Sequence, residues 1–325
     1  MITIRPFDLR RDLDAMVDLI EIVFADDEIR LGLSFRAELQ SIRKLLPLNL
    51  VLGCVSDTYR HNFDGFVCED QGRIIALINI FRAGLNKKCW EIGNVATHPD
   101  FRGKGLARQL VKRAIEHARE YGAGICVLEV RDDNLPAYKL YESLGFIHYD
   151  SNIDLKLETL PTIQILPIPD YSLKPMKFAD WQPRYNLALR ETPPAVQEFL
   201  PVNISDFRVT PIEQVIQPIT MGLQKIDSHR WAAEKEGTLA GYISLAARRT
   251  PKLSHHLILR VDPHHQQDLN EPLLTLALDK FQAYPRQIIL TTVRKDNQFQ
   301  RKLFQKYGFE EVFVLHQLGL KLSAE

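Results

Sequence analysis

The chain has 325 residues, 45% hydrophobic and 25% charged, the balance of a folded globular protein with length enough for two domains. Lys plus Arg equals Asp plus Glu at 41 each, which argues against a nucleic-acid partner held by net charge. No apolar run reaches the length of a membrane span, and the first residues read as a strand rather than a leader, so neither membrane nor export is expected.

In chain order, Ile2-Thr-Ile-Arg-Pro6 reads as the first strand, and Asp26-Asp-Glu28 as a solvated helix end. Cys54, Cys68, Cys89 and Cys126 contain no Cys-x-x-Cys pair. Their spacing argues against a zinc site and a disulfide framework, and they are expected as core thiols in a reducing cytoplasm. Val95, Ala96 and Thr97 end a strand that runs into a glycine loop, Phe101-Arg102-Gly103-Lys104-Gly105, and then into a helix. The helix carries Leu106, Leu110, Val111, Ala114, Ile115 and Ala118 as one apolar stripe, and Gly122 ends it.

That junction has the parts of a pyrophosphate socket. Glycines let the backbone approach a ligand, the first helical amides lack intrahelical partners, and Arg102 and Lys104 add positive charge. It is neither a Walker loop, which needs Gly-Lys-Ser/Thr after four spacers, nor a dinucleotide fingerprint, which needs three glycines at another spacing. Further on, Cys126-Val-Leu-Glu-Val130 reads as a strand, and Asn134 and Pro136 precede a helix carrying Tyr138, Leu140 and Tyr141. Gly145 closes that helix and Phe146 begins another strand.

Prolines 161, 167, 169 and 175 mark a break, after which the pattern returns. Pro6, Gly72, Asn134 and Gly145 have ordered counterparts at Pro175, Gly237, Asn297 and Gly308, at offsets of 169, 165, 163 and 163. Offsets that drift so slowly indicate two copies of one α/β unit. The second copy has lost the socket. With Pro99 aligned to Pro263, the loop from Arg102 to Gly105 faces Gln266, Gln267, Asp268 and Leu269; with the offset of 163, Glu129 faces Thr292 and Tyr141 faces Phe304. Asn297 survives.

The string Arg102-Gly-Lys-Gly105-Leu-Ala107 resembles the coenzyme A signature of the GNAT acetyltransferases, Arg/Gln-x-x-Gly-x-Gly/Ala. The stretch from Leu128 through Asn134 and Tyr141 to Phe146 is similar to that family's second motif. The resemblance implies a mixed α/β fold: two tandem GNAT-like domains, each a central mixed sheet flanked by helices. They would span residues 1–158, active, and 171–325, degenerate, with a linker at 159–170. It further implies acetyl-CoA as co-substrate, no metal, and direct attack by an amine, from a small molecule or a protein N-terminus. Val95, Ala96 and Thr97 would pair with the pantetheine arm, and the amides of Gly103, Lys104, Gly105, Leu106, Ala107 and Arg108 would hold the pyrophosphate beside Arg102. Asn134 matches a cofactor contact.

Tyr141 stands where the family places its general acid. A packing tyrosine is the alternative, and the phenylalanine at its duplicate, Phe304, favours the catalytic role because the ring was kept there and the hydroxyl was not. For Tyr138 packing is preferred. Glu129 lies in a Leu-Glu-Val-Arg-x-x-Asn string that resembles enzymes acetylating the N-terminal alanine of a ribosomal protein, where this glutamate is the base. An exposed strand glutamate, Glu91 as base, or a water as base remain open. His255-His256 and His264-His265 lack partnering carboxylates or thiols and are read as non-metal, and Arg248 and Arg249 as a hairpin-end charge pair. Two other functions stay in view: an acyl-CoA sensor or scaffold without turnover whose second copy binds a partner, and a small-molecule enzyme resembling, in architecture only, the tandem enzyme that finishes mycothiol.

Overall fold

The structure, a computed structural model, describes residues 2–32, 34–37, 43, 64–83, 88–177, 179–250 and 253–322. Cys54 lies outside the described residues. Two compact units interleave along the chain: residues 1–150, 198–201 and 315–325 form the first, and 151–197 with 202–314 the second.

The first unit opens with β1 (Thr3–Pro6), α1 (Leu9–Val23) and α2 (Ala25–Leu31), followed by β2 (Gly65–Asp70), β3 (Arg73–Arg82) and β4 (Cys89–Thr97). Then come α3 (Leu106–Glu120), β5 (Ile125–Arg131) and α4 (Leu135–Glu142). Asp8 starts α1 by accepting the amides of Arg10 and Arg11, which relieves two of the orphan donors of a helix start. The six stripe residues of α3 are all buried against Ile75, Ile78, Ile80, Trp90, Ile92 and Leu128 on one face of the sheet. Met16, Leu19 and Ile20 of α1 pack with Val67, Leu77 and Ala96 on the other. Cys68, Cys89 and Cys126 are buried free thiols, and burial pushes Cys68 up to about 11 and Cys126 up to about 12.

β6 (Ile147–Leu157) leads into the second unit, and residues 160–168 form neither helix nor strand. The pattern then repeats with β7 (Ser172–Pro175), α5 (Trp181–Glu191), the single turns α6 (Pro194–Gln197) and α7 (Ile204–Phe207), and α8 (Pro211–Gln224). It continues through β8 (Ile226–Lys235), β9 (Thr238–Arg248), β10 (His255–Val261), α9 (Gln266–Phe281), β11 (Ile289–Arg294), α10 (Gln298–Lys306) and β12 (Glu310–Lys321). No described helix is long and apolar enough to cross a membrane.

Each unit is built on a mixed sheet with one parallel pair, β4 with β5 or β10 with β11; its other strand pairs are antiparallel. The strand order is β1-β2-β3-β4-β5-β12 in the first and β7-β8-β9-β10-β11-β6 in the second. The last strand of each half is therefore given to the other half's sheet. Leu315–Lys321 of β12 runs along Arg131–Ile125, and Asn152–Leu157 of β6 runs along Arg294–Ile289. These strands carry core residues with them. Ile153, Leu155 and Leu157 are buried in the second unit, and Leu318 and Leu322 in the first. At about 1.5–3 kcal/mol for each buried aliphatic side chain, the exchange is held by ordinary hydrophobic burial.

β12 also needs a close approach. Gly319 lies under the ring of Phe199, where an added Cβ would stand 2.2 Å from Cδ1 and 2.7 Å from Cγ. Phe199 in turn stacks on Tyr149 at 5.0 Å, which limits its retreat. Gly319→Ala is expected to lower stability by about 1–3 kcal/mol, read as a drop in the urea midpoint. An unaltered midpoint would show that β12 does not lie against Phe199.

Candidate active site

The site begins with a sheet defect. The parallel ladder of β4 and β5 runs from Cys89 and Ile125 to Ile92 and Leu128 and stops. β4 continues to Thr97 with pairing only to β3, where the register shifts between Leu77 and Asn79. Asn94 takes a positive φ of 49° there, and its Nδ2 donates to Asn79 Oδ1 at 3.0 Å. A bulge bends a strand and increases its twist, which carries β4 away from β5. The wedge between them is a cleft of about 970 Å³ lined by Val95, Thr97, Gly103, Gly105, Glu129 and Tyr141, among others.

The expected socket lies at its mouth. Gly103 and Gly105 have φ of 76° and 74°, in the left-handed region that favours glycine. Gly105 is the N-cap of α3 and brings no side chain to cap it, so the first amides of the helix are left for a ligand. Nothing lies within 4 Å of where a Cβ would project from either glycine. Arg102 Nε donates to the Thr97 carbonyl at 3.4 Å, and Arg108 Nη2 donates to Ser143 Oγ at 2.8 Å. Lys104 Nζ lies 4.5 Å from the centre of the Phe101 ring. Leu106 and Ala107 line the same cleft, whereas Lys104 and Ala96 are not among its lining residues. Ala96 is fully buried in the core toward α1. Thr97 Oγ1 is buried with no hydrogen-bond partner among the described residues.

Tyr141 is 5% exposed and meets Phe146 edge to face, and burial pushes its phenol up to about 12. It therefore stays protonated across the physiological range. Tyr138 packs against His316 at 5.6 Å. Asn134 caps α4, its Oδ1 accepting from the Ala137 amide at 3.3 Å, and it also lines the cleft. Asn297 does the same for α10, accepting from Gln300 at 3.1 Å. A helix cap thus accounts for the survival of this asparagine in the second copy.

Trp90, Ile92, Cys126, Leu128 and Val130 face α3, so the alternation of a strand turns Cys89, Glu91, Val127 and Glu129 to the opposite face. Glu91 stands beside Val127 in register, with Glu129 two residues further along β5. Burial, assisted by the charge of Glu129, pushes Glu91 up to about 7. Glu129 lines the cleft and Glu91 is not among its lining residues. Glu129 Oε1 accepts from Gln317 Nε2 at 3.0 Å.

The acidic run near residue 27 is a helix end with Asp26 exposed, as the sequence suggested, but Asp27 departs from that reading. Asp27 is only 15% exposed, bonds Arg131, and lines the cleft, while Arg131 also holds Asp133 at 2.6 Å. Burial raises Asp27 above the usual carboxylate range, with Arg131 opposing. Asp27 was read only as a solvated residue, and Arg131, Leu315 and Gln317 were given no role; no local pattern ties a strand near residue 317 to Glu129.

The second unit keeps the wedge but not its contents. β10 and β11 pair only at His255 and His256, and the cleft beyond is about 340 Å³. Asn270 and Gln300, at the places of Leu106 and Ala137, are buried and bonded to each other at 3.2 Å. His255, His256 and His265 are engaged by Arg248, Ser254 and Tyr171 respectively. Arg248 ends β9, and Arg249 just beyond it pairs with Asp227 at 2.5 Å.

Two family models match the chain: the acetyltransferase (GNAT) family over residues 40–146 and the acetyltransferase (GNAT) domain over residues 197–317. An uncharacterized N-acetyltransferase of Methanocaldococcus jannaschii is 35% identical over 88 residues, 26% of this chain and 39% of that protein. A ribosomal-protein alanine N-acetyltransferase of Escherichia coli is 43% identical over 53 residues, 16% of this chain and 36% of that protein. The chain thus spans well under half the length of these curated relatives. A tandem GNAT protein from the clavulanic acid biosynthesis pathway aligns over 100% of both chains with a TM-score of 0.61 at 16% identity, a likeness of fold.

The buried carboxyl of Glu91 gives a stability signature. With the folded value near 7 and the ordinary value 4.5, the native state binds the extra proton between them. Stability should therefore fall as pH rises from about 4.5 to about 7 and level off above, by about 3 kcal/mol. In Glu91→Gln that slope should largely vanish, as followed by denaturant unfolding at several pH values. An identical slope in variant and parent would mean that Glu91 titrates normally.

Proposed function

The chain belongs to the GNAT acetyltransferase family, with two such domains in tandem, and on that premise we propose an N-acetyltransferase with one working site, in the first unit. The observation that carries this reading is the wedge between β4 and β5 opening onto the uncapped start of α3 at Gly103 and Gly105. The free edge of β4 from Val95 to Thr97 suits an extended amide-bearing arm, which it would pair as a sheet pairs a strand. The loop and the amides from Gly103 to Arg108, with Arg102 beside them, suit a diphosphate. These features fit acetyl-CoA.

Glu129 takes a proton from the acceptor ammonium, directly or through a water. The freed amine attacks the thioester carbonyl carbon, the C–N bond forms, the C–S bond breaks, and the second nitrogen proton passes through water to the departing thiolate, giving the amide and a free thiol. Tyr141 donates a hydrogen bond to the departing sulfur. A phenol near 12 is a poor proton source but a constant hydrogen-bond donor, so its role is to stabilise charge as it gathers on the sulfur. Glu91, behind Glu129, is the alternative base. The acceptor is an amine of a small molecule or a protein N-terminus, and we place the enzyme in the cytoplasm.

The second copy is read as a non-binding domain. Gln266, Gln267, Asp268 and Leu269 replace the cationic glycine loop, and its cleft has about 340 Å³ against about 970 Å³. Calorimetry with acetyl-CoA should give one site per chain, abolished by Gly105→Asp and unaffected by Asp268→Asn. Tyr141→Phe should lower thiol release with an amine library by roughly 10–1,000-fold while the acetyl-CoA Kd stays within about twofold. Tight binding without thiol release for any amine would favour the sensor instead.

A further inference from the structure

β12 reaches the first unit from the far end of the chain, and its residues bear on the cleft. Leu315 lines the cleft, opposite Arg131 in register. Gln317 stands opposite Glu129 and donates to its carboxylate at 3.0 Å. Gly319 admits the Phe199 ring, and Lys321 ends the strand by pairing with Glu198 and lying 5.3 Å from the centre of that ring. Resting on the reading of Glu129 as the base, we propose that the last strand of the second half builds the acceptor side of the first half's site, with Gln317 as a positioning residue for Glu129.

The duplicate pair supports the assignment. At the matching place in the second unit, Thr292 stands opposite Asp154, and its Oγ1 donates to Asp154 Oδ1 at 2.6 Å. The contact has been kept in both units, but its chemistry is reversed. In the second, the incoming strand brings the carboxylate and the parallel-paired strand a hydroxyl. In the first, the parallel-paired strand carries the carboxylate and the incoming strand a neutral amide. An acid at position 317 would set a second carboxylate directly across from Glu129, with Glu91 on the neighbouring strand of the same face. A neutral donor instead adds no like charge beside the carboxylate that must accept the amine's proton, and it fixes the direction of an otherwise exposed side chain.

Phenylalanine at Tyr141 tests the departing sulfur; Gln317 must be tested at the proton-accepting step. In the full chain, Gln317→Met keeps length and volume and removes the donor, while Gln317→Glu replaces it with charge. Steady-state kinetics over pH with the best amine of the library should show kcat/KM for the amine reduced about 10–100-fold in Gln317→Met. In Gln317→Glu the acid limb should also move to higher pH, because a second carboxylate then stands across from the first. Calorimetric affinity for acetyl-CoA should be unchanged in both, and Asp154→Asn should leave the profile as in the parent. Circular dichroism melting identifies any variant that fails to fold, and Gln317→Met then decides alone. An active parent with a Gln317→Met profile superimposable on its own overturns this proposal and leaves the function standing. A parent that neither binds acetyl-CoA nor releases thiol overturns both.

Discussion

The early end of the parallel ladder between β4 and β5 is the constraint from which the site follows. A sheet gains by pairing every backbone group, and an unpaired edge buried away from water is costly. The chain meets that cost by bending β4 away at the Leu77/Asn79 bulge, so the free edge from Gly93 to Thr97 faces an open cleft. Its other edge keeps β3 as partner, and β5 keeps β12. The defect is thus confined to one seam, rigid on both sides. The amides at the start of α3 and the Gly103–Gly105 loop open on the same seam, which brings an anion-holding terminus and a strand-pairing edge into one continuous surface.

That seam belongs to the fold rather than to the chemistry. The second unit has the same short ladder, ending at His256 and Leu290, and the same asparagine cap at the helix beyond it. What separates the units is the lining. An apolar floor of Leu106 and Ala137 has become a bonded pair of buried amides, Asn270 and Gln300, and the glycine loop has become the start of a helix with an acid in its first turn. A diphosphate there would meet Asp268 and a helix dipole without room for close approach.

Periodic features were legible in the sequence because a repeat of 3.6 or 2 residues is a local property. The α3 stripe from Leu106 to Ala118, the strand at Cys126–Val130 and the glycine stops at Gly122 and Gly145 all have their physical cause within a few residues. The bulge was not legible, because it depends on how Asn94 and Asn79, on neighbouring strands, settle against each other. The burial of Asp27 depends on Arg131, which is 104 residues away. The strand exchange was the least legible feature. β6 and β12 read as ordinary closing strands of their own halves, and the alternation of their side chains is the same whichever sheet they enter. The duplication of the chain could be counted from offsets, but which sheet a strand pairs with is decided by packing at a distance.

On the reading of the second copy as a non-binding domain, the exchange also explains how it could lose its chemistry without being lost. Gln266 lines the second unit's own cleft, and Leu269 and Phe304 lie in its own core, so their identity is set by that unit. β12 is under a different constraint. Leu318, with Leu322 just beyond the strand, closes the core beneath α3, Gly319 fits the Phe199 ring, Leu315 lines the cleft and Gln317 bonds Glu129, so the part of that strand from Leu315 to Gly319 is fixed by the first unit. The reciprocal dependence on Ile153, Leu155 and Leu157 binds the first half to the second unit's core in the same way. A copy coupled through its terminal strand is free to lose a binding loop but not to be deleted, because deletion would remove a strand from the surviving sheet and expose the edge of β5 beside Glu129.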